Sequence, residues 1–103
     1  MKIQCSCGAT IHDGGDGLSH KAHVIPDPTL NPLLDAIDEV VGKPCFTVTQ
    51  REAAAMRVRE LLVDAMRQAW QCRTCGRLYI DDAQRTLNSY APEGEAMKAL
   101  FAS

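Results

Sequence analysis

Four of the five cysteines lie in two short clusters whose spacing is typical of metal ligation. The clusters are Cys5-Ser6-Cys7-Gly8 and Cys72-Arg73-Thr74-Cys75-Gly76. Two cysteines separated by one or two residues can both point into one tight turn, and a following glycine permits the positive φ that brings backbone amides near the sulfur atoms. Zinc binds four such thiolates in a tetrahedron, with bonds of about 2.3 Å. The spacing therefore predicts that Cys5, Cys7, Cys72 and Cys75 bind one zinc ion.

A site closed by four cysteines is typical of structural zinc. A catalytic zinc ion takes three protein ligands and keeps one position open for water or substrate. The sequence also lacks a Gly-x-Ser-x-Gly turn, a phosphate-binding Gly-Lys-Ser loop, a His-Glu-x-x-His helix and the zinc deaminase signature. We therefore expect a structural zinc ion and no enzymatic activity, and keep a metal-dependent enzyme as an alternative.

The sequence leaves open other metal ligands and a redox role for the second cysteine cluster. Cys45 either packs as a small hydrophobic residue or replaces a cysteine of the tight Cys-x-Cys pair. One of His12, His20 and His23 could complete the site instead, because imidazole is a common zinc ligand. The second cluster could also be a redox pair, although such a motif normally opens a helix, and here a helical pattern precedes it. Iron could occupy the same four thiolates.

Two helices are predicted between the clusters. Asn31 followed by Pro32 is typical of a helix start, and Gly42 with Pro44 is typical of its end, which predicts a helix over about 32–41. The segment Thr49-Gln50-Arg51-Glu52 has the pattern of a capping box, and apolar residues then recur at helical spacing. This pattern predicts a second helix over about 50–70, which would deliver Trp70 to the second cluster as a core anchor or a lid over the sulfur atoms.

Short strands are predicted on either side of the cysteine turns. They cover residues 2–4, 9–11, 18–25, 77–80 and 85–87. A terminal helix is predicted to begin near Pro92 and to carry Met97, Leu100 and Phe101 inward.

In its two cysteine turns the sequence resembles a zinc ribbon. The resemblance rests on residues 1–11 and on the run Cys72-x-x-Cys75-Gly76-Arg77-Leu78-Tyr79, which leads into a predicted strand. In that family each turn lies at the tip of a β-hairpin, and the two turns hold one structural metal ion. The length of 103 residues favours a single domain. Together with the ribbon resemblance, the helices predicted between the clusters give an expected α+β domain over 1–103, with a small antiparallel sheet and a two-helix insertion at about 31–70. The segments Asp13–Asp16 and Lys21–Asp27 also look like segments of small bacterial proteins, a likeness that implies no activity.

Charge favours a protein partner over a nucleic acid. The 103 residues carry a net charge of −2, whereas nucleic-acid binders usually present a strongly basic face. The candidate protein contacts are the acidic helix face formed by Asp35, Asp38 and Glu39, and the His12–Asp27 loop region. We expect an adaptor or a small inhibitor or immunity-type protein. Nucleic-acid binding is the alternative, through Arg51, Arg57, Arg59, Arg67, Arg73, Arg77 and Arg85.

The sequence also bears on localisation. The N-terminus shows no secretory signal, and no apolar run is long enough to span a bilayer. An odd number of cysteines favours reduced thiols and metal ligation over disulfides. We therefore expect a cytoplasmic protein with no membrane association.

Overall fold

The α+β class predicted from the sequence is confirmed by a computed structural model, which describes residues 2–95 and 98–102. Over these residues the chain forms two helices and six strands, and the strands make two antiparallel sheets. The chain divides into two compact units. One runs up to Val24 and resumes at Arg67, and the other is Ile25–Met66.

The first unit contains all six strands. Strands β1 (Lys2–Gln4) and β2 (Thr10–His12) form a two-stranded hairpin. Strands β3 (Lys21–Val24), β4 (Arg67–Gln71), β5 (Leu78–Asp81) and β6 (Leu87–Tyr90) form a four-stranded sheet in that order. Each pair of neighbours is antiparallel.

The core of this unit is small and surrounds two of the cysteines. Ile3 and Ile11 lie opposite each other in the β1–β2 register, and both are buried while their neighbours along the strand are exposed. They pack in one cluster with Cys5, Cys72, Trp70 and Tyr79. The alternation of one buried residue between two exposed ones is what a strand with one covered face requires.

The second unit is a helical hairpin of α1 (Asp27–Gly42) and α2 (Val48–Ala65). The two helices contact each other, and Leu33 on α1 is the one described residue of this unit that is buried. None of the helices in the described part of the chain is long and apolar enough to cross a bilayer.

The first helix begins five residues earlier than predicted. Pro26 is its N-cap, and Pro28 lies in its first turn, where a missing amide costs nothing because those amides have no partner within the helix. Pro32, which the sequence suggested as the first helical residue, lies inside the helix instead. The predicted end near Gly42 is confirmed, since α1 ends at that residue.

The second helix is shifted relative to its predicted bounds. The capping box is formed by Thr47 and Gln50, not by Thr49 and Glu52, so α2 begins at Val48. The helix ends at Ala65, and residues predicted to continue it form β4. Trp70 is paired there with Lys21 on one side and Tyr79 on the other. Pairing with two distant strands outweighs the local helical pattern at this position.

The remaining strand predictions are close to the observed elements. The strand predicted over 18–25 is confirmed as the shorter β3, and the strand predicted over 77–80 corresponds to β5. The strand predicted over 85–87 is displaced, since β6 begins only at Leu87 and Arg85 lies in the preceding bend with φ of +62°. Of the predicted terminal helix, Met97 lies outside the described residues. Residues 98–101 form a turn, and Leu100 is half exposed, at 53%.

We predict that Thr47→Ala destabilises the helical unit by about 1 kcal/mol, because the Thr47 hydroxyl accepts the Gln50 amide hydrogen bond that would otherwise lack a partner. Helicity followed by circular dichroism during urea unfolding measures the effect. Thr49→Ala is the matched control, since Thr49 lies exposed within α2. A larger loss for Thr49→Ala than for Thr47→Ala would contradict the observed capping box.

Candidate metal centre

The first cysteine turn connects β1 to β2 and is closed by backbone hydrogen bonds. The Cys5 amide donates to the Ala9 carbonyl at 2.9 Å, and the Gly8 amide donates to the Cys5 carbonyl at 3.0 Å. Gly8 has φ of +99°, a conformation that other residues adopt only with strain. The glycine after the cysteines therefore has the role that the sequence pattern indicates.

The second cysteine turn connects β4 to β5 and is closed in the same way with one more residue. The Cys72 amide donates to the Arg77 carbonyl at 2.9 Å, and the Gly76 amide donates to the Cys72 carbonyl at 2.9 Å. Gly76 has φ of +81°. The Cys-x-Cys turn is thus a shortened version of the Cys-x-x-Cys turn, with the same closing hydrogen bonds.

The two turns bring all four cysteines of the clusters together. The Sγ atoms of Cys5, Cys7, Cys72 and Cys75 all lie within 4.8 Å of one another. Two approaches join the turns crosswise, with 3.6 Å between the Cys5 and Cys75 sulfur atoms and 3.7 Å between those of Cys7 and Cys72. Both distances are far longer than the roughly 2.05 Å of a disulfide, and all four are free thiols.

The donor set and its dimensions fit a tetrahedral metal ion. Four sulfur atoms that each lie about 2.3 Å from a central zinc ion would be about 3.8 Å apart along each edge of the tetrahedron. The two crosswise distances match this value. The arrangement could therefore hold a metal ion, and four-sulfur tetrahedral sites suit zinc or iron.

Cys5 and Cys7 differ in acidity because their sulfur atoms have different hydrogen-bond partners. Burial acts to raise the pKa of Cys5, but hydrogen bonds from the Cys7 backbone, the Tyr79 hydroxyl and the neighbouring thiols lower it to about 6. A backbone hydrogen bond at Ala9 acts to lower the pKa of Cys7, but hydrogen bonding to the other cysteines and burial raise it to about 11. Cys5 is thus the first of the two to become a thiolate, which is the form that binds metal.

Tyr79 supports the first cysteine turn from β5, although the sequence analysis assigned it no role. Its hydroxyl accepts a hydrogen bond from the Ser6 amide at 3.2 Å and is hydrogen-bonded to the Cys5 sulfur, an interaction that raises the pKa of Tyr79. The ring is buried, at 7% exposed. Its position within the run Cys75-Gly76-Arg77-Leu78-Tyr79 was the available signal, but only the fold shows which cysteine it reaches.

Trp70 is a core anchor beside the sulfur atoms. It is 1% exposed and packs in the same cluster as Cys5 and Cys72. The Lys21 ammonium lies over its ring, 5.4 Å from the centroid, and also forms an ion pair with Asp13. The hydrogen bond that the Lys21 ammonium donates in this ion pair lowers the pKa of the Asp13 carboxyl. The loop after β2 is thereby joined to the larger sheet next to the cysteine cluster.

The alternative ligands are not part of this cluster. Over the described residues, the group that could hold a metal ion consists of the four cysteines alone. Cys45 lies in the connection between α1 and α2, with its sulfur 3.7 Å from the Lys43 carbonyl oxygen. The His20 Nε2 atom lies 2.6 Å from the His12 carbonyl oxygen, so it carries the proton and donates to that carbonyl.

The fold and the centre define an α+β protein in which four clustered cysteines could hold a metal ion. The sequence matches the family described as a domain of unknown function, DUF8617, over residues 1–94, and the chain belongs to that family. The matched segment includes both cysteine clusters. No curated protein and no solved structure matches the chain. The family description names neither a zinc ribbon nor an activity, so that likeness rests on the two turns themselves.

We predict that Tyr79→Phe weakens zinc binding about 10-fold or more, because it removes the hydroxyl that holds Cys5 and Ser6 while it keeps the buried ring. The same change should lower the free energy of unfolding by about 1 kcal/mol. Competition with a chromophoric zinc chelator measures the affinity. Tyr90→Phe is the matched control, since Tyr90 is 60% exposed. Equal zinc affinity in the two variants would show that the Tyr79 hydroxyl does not support the site.

Proposed function

We propose that the protein binds one structural zinc ion through Cys5, Cys7, Cys72 and Cys75 and acts as a protein-interaction module. The observation that carries the zinc assignment is the convergence of the four sulfur atoms to within 4.8 Å. Two of the cysteines, Cys5 and Cys72, are 2% and 1% exposed. The pKa of Cys5 is lowered to about 6, so Cys5 would be a buried thiolate at neutral pH, and a bound cation would offset that charge, which supports a resident metal.

The closed donor set supports a structural role for the ion. Four protein thiolates complete the zinc tetrahedron and leave no position for a substrate or an activated water. The ion would connect the β1–β2 turn to the β4–β5 turn, which are far apart in the sequence. A hairpin of two three-residue strands is at best marginal in water by itself, so a bond to the larger sheet would be needed to hold it.

The surface of α1 supports a protein partner. The helix carries four acidic residues and no lysine or arginine. Three of them, Asp35, Asp38 and Glu39, are exposed and form the acidic face named in the sequence analysis. Such a helix repels phosphate and attracts basic protein surfaces. An adaptor or a small inhibitor of the immunity type would use a surface of this kind.

We predict that Cys75→Ser loses stoichiometric zinc and destabilises the first unit by more than about 4 kcal/mol, because the tetrahedron loses one ligand. Cys45→Ser is the matched control and should retain full zinc content with a small change in Tm. Metal analysis of the purified protein and thermal unfolding measure both effects. Equal zinc content and Tm in the two variants would refute the site. Cobalt substitution adds an independent readout, since a spectrum with an oxygen ligand would contradict the closed four-sulfur centre.

We predict that the zinc-loaded protein shows no gel shift with duplex DNA or single-stranded RNA at low salt, where phosphate binding is strongest. The reason is the net charge of −2 and the acidic surface of α1. A shift that disappears steeply as salt rises would contradict the proposal and favour the nucleic-acid alternative. The charge-reversed variant Asp35→Lys with Asp38→Lys and Glu39→Lys serves as the positive control for the assay.

A further inference from the structure

The helical hairpin carries an unusual share of exposed apolar side chains. Of the ten exposed large hydrophobic residues among those described, seven lie within Ile25–Met66. They are Leu30, Leu34, Val41, Phe46, Val48, Met56 and Val63. Clustered apolar exposure of this kind is characteristic of an interaction surface.

The three most exposed of these side chains lie at one end of the hairpin. Val41 is in the last turn of α1, Phe46 is in the connection, and Val48 is the first residue of α2. Their exposed fractions are 71%, 83% and 66%. We refer to these three residues as the tip patch. A phenylalanine that is 83% exposed forgoes most of the free energy that burying its ring would contribute.

The backbone beneath Phe46 is held firmly although its ring is free. The Phe46 amide donates to the Gln50 Oε1 atom at 2.7 Å, and the same oxygen accepts the Thr47 amide hydrogen bond at 3.1 Å. The Gln50 amide in turn donates to the Thr47 hydroxyl at 3.1 Å. This reciprocal capping box fixes the position from which the ring projects.

Phe46 lies just before the N-cap of α2, and the apolar residue that would pack against it from the first turn of the helix is absent from the sequence. A hydrophobic residue just before the N-cap normally packs against an apolar residue at the fourth helical position. With Thr47 as N-cap, that position is Arg51. Phe46 is therefore presented by an ordered turn without an apolar staple partner, which is the condition for a preorganised aromatic anchor at an interface.

We propose that the tip patch docks into an apolar pocket on a protein partner whose rim is basic. The negative charge of the helical hairpin favours a partner with a basic rim. Residues 25–66 carry four basic and seven acidic side chains, a net charge of −3, and α1 has acidic residues only. Around the patch the chain carries Asp38, Glu39 and Glu52 against Lys43 and Arg51, so acidic side chains outnumber basic ones there, and the acidic border lies on the α1 side, where Asp38 is one turn before Val41. A second copy of the chain would bring the same negative charge and is disfavoured as the occupant.

This inference rests on the proposed protein-interaction function and names the surface that performs it. Truncation of an aromatic anchor at the centre of an interface weakens binding by about 30-fold or more. The acidic border should act with the patch, because complementary charge steers and selects the partner. The two contributions can be varied separately, since Phe46 and the α1 carboxylates are exposed and none is part of the core.

Site-specific photocrosslinking in the native cell tests the proposal. Phe46→p-benzoylphenylalanine and Val41→p-benzoylphenylalanine should each crosslink the full chain to the same protein under ultraviolet light. Glu60→p-benzoylphenylalanine, an exposed position twelve residues beyond Val48 on α2, is the control and should not give that product. Adding Asp38→Lys and Glu39→Lys to the Phe46 probe should abolish the product, because a basic rim would then be repelled.

The identified protein then allows a quantitative measurement. Phe46→Ser should weaken its binding by about 30-fold or more, with Thr49→Ser as the unaffected control and with zinc content and helicity unchanged in both. The proposal is overturned by absence of any ultraviolet-dependent product, by a product containing only a second copy, or by a product insensitive to charge reversal. Crosslinks from position 60 alone would overturn the tip patch but leave the interaction function standing.

Discussion

The approach of two cysteine turns from opposite ends of the sequence is the constraint on which the first unit depends. Neither turn has enough apolar surroundings to be stable alone, because β1 and β2 have three residues each and the core contains few large side chains. Cys5 and Cys72 are themselves members of that core. Sulfur atoms placed 3.6 to 3.7 Å apart across the turns suit a shared ion rather than a covalent bond.

The core of the first unit and the candidate metal centre share Cys5 and Cys72. Tyr79 fills space with its ring and holds the first turn with its hydroxyl, while Trp70 on β4 packs in the same cluster and has the Lys21 ammonium over its ring. Because these residues serve packing and ligand orientation together, the centre should be sensitive to changes that conserve volume but remove a single polar atom. The zinc-ribbon likeness is confined to this part of the chain.

The helical hairpin depends more on local hydrogen bonds than on a buried core. Its helices bury little, and its capping box fixes a connection whose aromatic residue lies in solvent. Local hydrogen bonds and helix propensity can define such a segment without a large core, since caps satisfy the amides that a helix leaves open. A unit ordered in this way has apolar surface left for a partner, which is why the protein-interaction proposal and the tip patch both fall on it.

The spacing of the cysteines and their glycines was sufficient to identify the four residues that converge, because each turn is a local structure with local requirements. The α+β class and the presence of two helices followed from apolar periodicity and from the stop at Gly42 for the same reason, although both predicted helix starts were wrong. Only the tertiary structure decided that residues 67–71 form a strand, that Thr47 rather than Thr49 caps α2, and that Tyr79 reaches Cys5. Those outcomes depend on pairing between segments distant in sequence, or on competition between near-equivalent caps, and such energies are set by neighbours that the local pattern does not contain.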